Sequence, residues 1–242
     1  MAIFVGWKRV ENLQNRISVL KKYHKKFGRL KNLLYLCTRT KTPKNMKKSF
    51  DDLVKHIKQE CKKHDIKLKI GRGKTVKMDT IKVGGYFDSD NRILTAASKS
   101  SVYKTLLAHE YCHLTQYVDK FHLWDLCGDS MTKIENYLNG EDVPDIEKAI
   151  AISRDLELDN EKRTTALLDE YDLDVDKGLY IKQSNAYILF YNYMVHSRRW
   201  SKPGKAPYTN ERIIAAMSDK FDMDYTNIHN PEIIKLYQEE DI

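Results

Sequence analysis

Apolar positions along most of this chain recur at helical intervals. Val10, Leu13, Ile17, Leu20 and Tyr23, then Leu30, Leu33, Leu34 and Cys37, follow steps of three and four, with Gly28 as the break, which predicts a helical hairpin over residues 10–36. A loop around Pro43 precedes a second amphipathic stretch, Phe50, Leu53, Val54, Ile57 and Cys61, predicting a helix that ends near His64. The period then drops to two. Ile66, Leu68 and Ile70 alternate with lysines, Thr75 to Met78 alternates again, Ile81 to Val83 follows, and Tyr86-Phe87 and Arg92 to Thr95 flank an Asp-rich turn. These segments predict short antiparallel strands. The Asp88-Ser89-Asp90-Asn91 turn lacks the twelve-residue calcium-loop pattern with its closing Glu and reads as a hairpin turn.

Helical spacing returns with two rows, Val102, Leu106, His109, His113 and Gln116, and Leu107, Tyr111, Leu114 and Val118, so this helix is expected to be buried on two sides, with Ser98 and Ser100 as N-cap candidates. Residues 121–139 carry the anchors Trp124, Leu126 and Ile134 but read as irregular to weakly helical, closing at an Asn139-Gly140 turn. Pro144 suits the first turn of a long helix whose stripe is Ile146, Ile150, Ser153, Glu157, Glu161, Thr164 and Leu168. An aromatic-rich helix over residues 180–200 follows, with Tyr187, Phe190, Tyr191, Met194 and Arg198 on its packing face, then a loop over 202–208 and one or two short helices. The expected fold class is α+β, mainly helical, with a small antiparallel sheet against the helix of residues 102–118.

Charge divides the chain unevenly. Residues 1–78 hold 23 Lys or Arg against 5 Asp or Glu, and the remainder holds 19 against 29. The expected organisation is a basic helical segment, residues 1–65, and a second unit, residues 66–242. A basic segment of this kind can contact nucleic acid or an acidic partner, since Lys and Arg neutralise phosphate, or it can lie against the acidic remainder of its own chain. Cys37, Cys61, Cys112 and Cys127 form no Cys-x-x-Cys pair, so neither a zinc ribbon nor a disulfide framework is suggested, and reduced thiols fit a cytoplasmic protein. No apolar run reaches membrane-spanning length, and Met1 to Trp7 is too short for a secretory signal, so no membrane association is expected.

The chemistry is concentrated in His109-Glu110-Tyr111-Cys112-His113. Helical residues four apart lie one above the other, so His109 and His113 can aim both imidazoles at one metal ion, with Glu110 beside it as a base. Two His and a carboxylate with a neighbouring Glu favour zinc, Zn2+, over other divalent metals. A third ligand is needed. Glu157 and Glu161 sit on an otherwise largely apolar stripe, where a carboxylate is costly unless paired or metal-bound, and both are candidates; a helix rotated to expose that stripe is the alternative. Cys112, inside the motif, is expected to pack against the sheet. Tyr187, Tyr191 and His196 are candidates for stabilising an oxyanion, and nothing in the sequence chooses among them.

The order of these parts, with Gly85-Tyr86-Phe87-Asp88, the His109 motif with Gln116, Glu157-Leu158-Asp159-Asn160-Glu161-Lys162-Arg163, and Asn185-Ala186-Tyr187 with Lys205-Ala206-Pro207-Tyr208, resembles the gluzincin class of zinc metallopeptidases, and more closely the minigluzincin-type metallopeptidases encoded by large tailed bacteriophages. The resemblance spans residues 66–210. It implies a zincin-like fold and a zinc-dependent peptidase of narrow specificity acting on a peptide or protein substrate, located in the host-cell cytoplasm if phage-encoded. It also implies Glu110 as the catalytic base, His109, His113 and Glu157 as ligands, and the last strand before the motif helix as a sheet edge that pairs with substrate. In that class an Asp four residues after the ligand Glu holds a zinc-bound His; here Glu161 stands in its place, which leaves it either as that support or as the ligand itself. The alternative reading is a non-catalytic metal-containing protein that binds nucleic acid or an acidic partner through residues 1–65.

Overall fold

A computed structural model describes residues 47–242; the predicted hairpin of residues 10–36 lies outside the described residues. β1 (Lys48–Ser49) leads into α1 (Phe50–Lys63), which starts where the sequence places it because Ser49 and Asp52 form a capping box. Leu53, Ile57 and Cys61 bury its apolar face in the same core as Leu107, Ala108, Tyr111 and Leu114. A division of the chain at residue 65 therefore runs between side chains that share one core.

Three strands form the central sheet, β2 (Lys67–Gly71), β5 (Gly85–Asp88) and β6 (Ile93–Ala97), in the order β2-β6-β5. β3 (Val76–Met78) and β4 (Ile81–Val83) make a separate antiparallel hairpin. The β5–β6 pair is antiparallel and turns through Asp88, whose carboxylate accepts from the Asn91 backbone N–H at 2.8 Å, as a hairpin turn requires. Two expectations are corrected here. β2 runs parallel to β6, from Lys67 opposite Ile93 to Gly71 opposite Ala97, so the sheet is mixed and not antiparallel. The strand before the motif helix is central and not an edge. β6 is the most apolar strand, with Leu94, Ala96 and Ala97 fully buried, and burial on both faces favours the middle of a sheet. The edge beside the motif helix is β5.

The motif helix is α2 (Tyr103–Val118), in which every residue from Thr105 to Leu114 is buried. Its start differs from expectation. Ser98 instead donates to the Gly71 carbonyl (2.8 Å), the Ser100 hydroxyl accepts from the Val102 N–H (3.4 Å), and no side chain caps the first turn. The stretch read as irregular forms α3 (Trp124–Leu138), with Trp124, Cys127, Ser130 and Ile134 on its buried face. α4 (Ile146–Glu170) runs for 25 residues against α2 and α3. After β7 (Tyr171–Asp172), which pairs in parallel with β1, come α5 (Lys177–Ser197), a single 3-10 turn at Pro207–Thr209, α6 (Glu211–Ala216) and α7 (Pro231–Glu239). These last elements gather around Ala186 to Met194 of α5 in a second apolar cluster that includes Tyr237 and Ile242. The fold is α+β, mainly helical among the described residues, and none of its helices is long and apolar enough to cross a membrane.

Candidate metal centre

Polar side chains are concentrated where α2 crosses α4. His109, Glu110 and His113 are fully buried, and Glu157 and Glu161 of α4 are 3% and 2% exposed. The stripe that carries both glutamates therefore faces inward, and the rotated-helix alternative is excluded. His109 Nε2 and His113 Nε2 stand 3.1 Å apart, and the Glu157 carboxylate oxygens lie 3.8 Å from His109 Nε2 and 3.7 Å from His113 Nε2. Donor atoms 2.0–2.1 Å from a tetrahedral zinc are about 3.3 Å from one another. The three side chains thus form a group that could hold a metal ion.

Each histidine is turned by a hydrogen bond at its far nitrogen. His109 Nδ1 faces Glu161 Oε1 at 3.1 Å, and the other Glu161 oxygen accepts from the Tyr180 hydroxyl and from the Ser184 hydroxyl (2.9 Å). Asn160 Nδ2 stands 3.0 Å from the same Nδ1 and 3.3 Å from the His109 carbonyl; with the Nδ1 proton directed to Glu161, it is the carbonyl that accepts from it. His113 Nδ1 faces Gln116 Oε1 at 3.0 Å. With both Nδ1 atoms engaged, both Nε2 atoms point at one place, where a cation would take both lone pairs and where, without one, a proton on His109 Nε2 bridges to His113 Nε2. Between the two open possibilities for α4, Glu157 stands in the donor group and Glu161 behind His109.

The charges are strongly coupled. Burial pushes Glu110 up to about 7 and Glu157 up to about 8, with the His109 charge pulling both the other way. Burial alone would depress His109, but Glu161, Glu157 and Glu110 together hold it up at about 9. His113 is pushed well below its ordinary value by burial and by the adjacent His109 charge. For Glu161 burial is outweighed by His109, Tyr180 and Ser184, which keep its carboxyl below the usual range. Glu157 Oε2 is buried without a hydrogen-bond partner, and the Glu110 carboxylate has only the Phe87 backbone to offset its burial. Poorly paired buried carboxylates are costly, and two of them beside one convergent donor set fit a site that a cation would complete.

Two other features shape the site. An added Cβ on Gly85 of β5 would lie 2.7 Å from the Thr95 carbonyl and 3.0 Å from Glu110 Cγ, so this glycine permits the close approach of the strand to Glu110. A cleft of about 310 Å³ runs beside the centre, walled by Gly84, Leu106, Glu161, Tyr180, Tyr187 and Tyr208. Tyr187 and Tyr191 are buried, their hydroxyls 3.2 Å apart, and their phenols are held protonated far above the ordinary value, chiefly by burial, with the Glu157 charge contributing to both. His196 is not brought to the centre. It is exposed near the far end of α5, against His229 Nδ1 (3.4 Å) and the Ile228 carbonyl (3.3 Å). Sequence reasoning also did not assign roles to Tyr180, Ser184 and Asn160; the only signal was their helical spacing, which does not distinguish a bond to Glu161 or His109 from ordinary packing.

No protein-family model matches the chain, and comparisons with curated proteins and with solved structures find no match. The geometry of the centre is the basis for reading it.

Proposed function

We propose that the protein is a zinc-dependent peptidase with a zincin-like, gluzincin-type centre in which His109, His113 and Glu157 hold the metal and Glu110 is the catalytic base. The observation that carries the reading is Glu110: fully buried, with only the Phe87 backbone to stabilise its charge by hydrogen bonding, and next to three converging ligand atoms. A metal that only held α2 to α4 would leave that carboxylate unexplained. When bound, zinc supplies a Lewis acid and lowers the pKa of a water at its open position.

The protein's own groups account for the remaining steps. Glu110, with its pKa raised to about 7, is matched to taking a proton from water near neutral pH and returning it to a leaving amine. Glu161 and Gln116 hold the two imidazoles in place. The hydrogen-bonded hydroxyl pair of Tyr187 and Tyr191, kept protonated, is the candidate for orienting a donor toward a developing oxyanion. The β5 edge, unpaired on its outer side among the described residues, suits an extended substrate peptide that adds a strand. Complete burial of His109 and His113 favours one competing reading, a metal that is purely structural in a protein working through its basic segment.

Elemental analysis and catalysis separate the two. One zinc per chain is expected in the wild type and in Glu110→Gln, and none in His113→Ala or Glu157→Ala. Hydrolysis of a mixed peptide library should occur with the wild type and fall at least about a thousand-fold in Glu110→Gln. Zinc retained with no hydrolysis by the wild type would leave the structural reading; no zinc after loading would sink both.

A further inference from the structure

Gln116 is fully buried on the motif helix, three residues beyond His113, with both its N–H donors and its carbonyl oxygen engaged. Its Nε2 donates to the Leu156 carbonyl (2.9 Å) and to Asp159 Oδ2 (2.8 Å), both on α4. Neither of those partners can donate, a backbone carbonyl never and an ionised carboxylate never, so they fix which end of the amide is nitrogen. Oε1 must then face His113, and since a carbonyl oxygen can only accept, Nδ1–H donates the hydrogen bond, 3.0 Å. The same carboxylate oxygen of Asp159 accepts from Arg163 Nε at 2.7 Å, and Arg163 Nη1 donates to Asp119 Oδ2, also at 2.7 Å, just past the end of α2. A chain of bonds therefore leads from a surface ion pair, through Asp159 and Gln116, to a buried imidazole.

We infer that Gln116 is a positioning residue that sets the tautomer of His113, and that Asp159, held by Arg163, sets the orientation of Gln116. A neutral imidazole left to itself prefers its proton on Nε2, the nitrogen that here faces His109 and Glu157. The amide reverses that preference and leaves Nε2 as a bare acceptor before any metal arrives. The two histidines thus receive different supports: a carboxylate shared with Tyr180 and Ser184 turns His109, and a neutral amide turns His113. A neutral acceptor orients the ring without adding a further buried charge to a site that already holds Glu110, Glu157 and Glu161.

The consequence for metal affinity rests on the proposed zinc centre; the tautomer does not. Ring-nitrogen NMR of the metal-free wild type should show His113 with a protonated Nδ1 and an unprotonated Nε2. Zinc affinity, read by competition with a chromogenic chelator, should fall about 10- to 100-fold in Gln116→Glu, because the new carboxylate meets the Asp159 carboxylate and the Leu156 carbonyl with no proton to offer either. Adding Asp159→Asn supplies that missing donor, so the double variant should recover most of the loss. Lost packing alone would not be rescued in this way. A His113 proton found on Nε2 in the wild type overturns the inference, as does an Asp159→Asn change that leaves the Gln116→Glu defect unrelieved. No zinc uptake by the wild type, with the proton still on Nδ1, would overturn the metal centre and leave the tautomer assignment standing.

Discussion

The crossing of α2 and α4 and the packing of α5 against the C-terminal elements both bury polar groups and treat them differently. On α5, Asn185 donates to the Ser218 and Lys220 carbonyls and accepts from Tyr225, and Asn192 donates to the Tyr225 carbonyl and accepts from the buried Arg154. Tyr237, fully buried, donates to the Ala186 carbonyl. At the α2–α4 crossing, by contrast, Glu157 Oε2 has no partner, Glu110 has only the Phe87 backbone, and the two imidazoles can bond only to each other through Nε2. Buried polar groups are costly unless paired. Two under-paired buried carboxylates beside a histidine pair mark where something other than folding has set the residue.

Metal removal should sharpen this contrast most. Zinc at about a thousand times its Kd adds about 4 kcal/mol of stability. Chelation should therefore lower the Tm of the wild type and leave that of His113→Ala unmoved. Equal responses would break the assignment.

Substitution should act in opposite directions in the two regions. Asn185→Leu, which strands two carbonyls and the Tyr225 hydroxyl, should cost about 3 kcal/mol in denaturant unfolding and leave zinc content intact. Glu110→Gln should cost no stability at pH 8, because it replaces a carboxylate that burial disfavours, while abolishing hydrolysis. A large destabilisation by Glu110→Gln would mean that this carboxylate belongs to the fold.

The pH dependence of the metal-free protein follows from His109, raised to about 9, and Glu157, raised to about 8. Above pH 6.5 the unfolded chain has lost both protons and the folded chain retains them. The folded state then binds more protons, so stability falls as pH rises from 7 to 9, on the order of 3 kcal/mol in all. The His109 contribution is fully present below its unfolded value of 6.5 and lost through 9. His113, shifted the other way, affects only the range below 6.5. Zinc, which holds these ligands deprotonated, should flatten the slope, and thermal melts with and without zinc across that range would show it.

The smallest expected effect is that of Gly85→Ala. Its Cβ would press on the Thr95 carbonyl and on Glu110, for about 1–2 kcal/mol of stability. Hydrolysis should fall further than stability accounts for, because the base is displaced. Unchanged turnover would show that β5 does not position Glu110.

Much of this arrangement was legible in the chain. A histidine pair four apart on an apolar helix and a glutamate on an apolar stripe are local periodicities, and a helix turns local spacing into a shared face whatever surrounds it. α1, with its Ser49 cap, was readable for the same reason. α3 was missed because its buried row includes Ser130 and its middle Gly128, so packing and not propensity holds it helical. The parallel pairing of β2 with β6 was missed because partner and direction in a sheet are set by distant residues, and alternation is the same for both directions. His196 seemed a candidate because it shares α5 with Tyr187, but nine residues of helix span about 13 Å and carry it away from the centre.

The sequence by itself determined which residues could act: the candidate ligand pair His109 and His113, the candidate base Glu110, the two carboxylates Glu157 and Glu161 and the helices that carry them, since each follows from spacing within one element. Only the tertiary structure decided among them. It put Glu157 with the histidines and Glu161 behind His109, turned Gln116 toward His113, and placed β5 at the edge beside Glu110. Those choices depend on how α4 is rotated and slid against α2 to within an ångström or two, a quantity fixed by the packing of both apolar clusters and carried by no single stretch of chain.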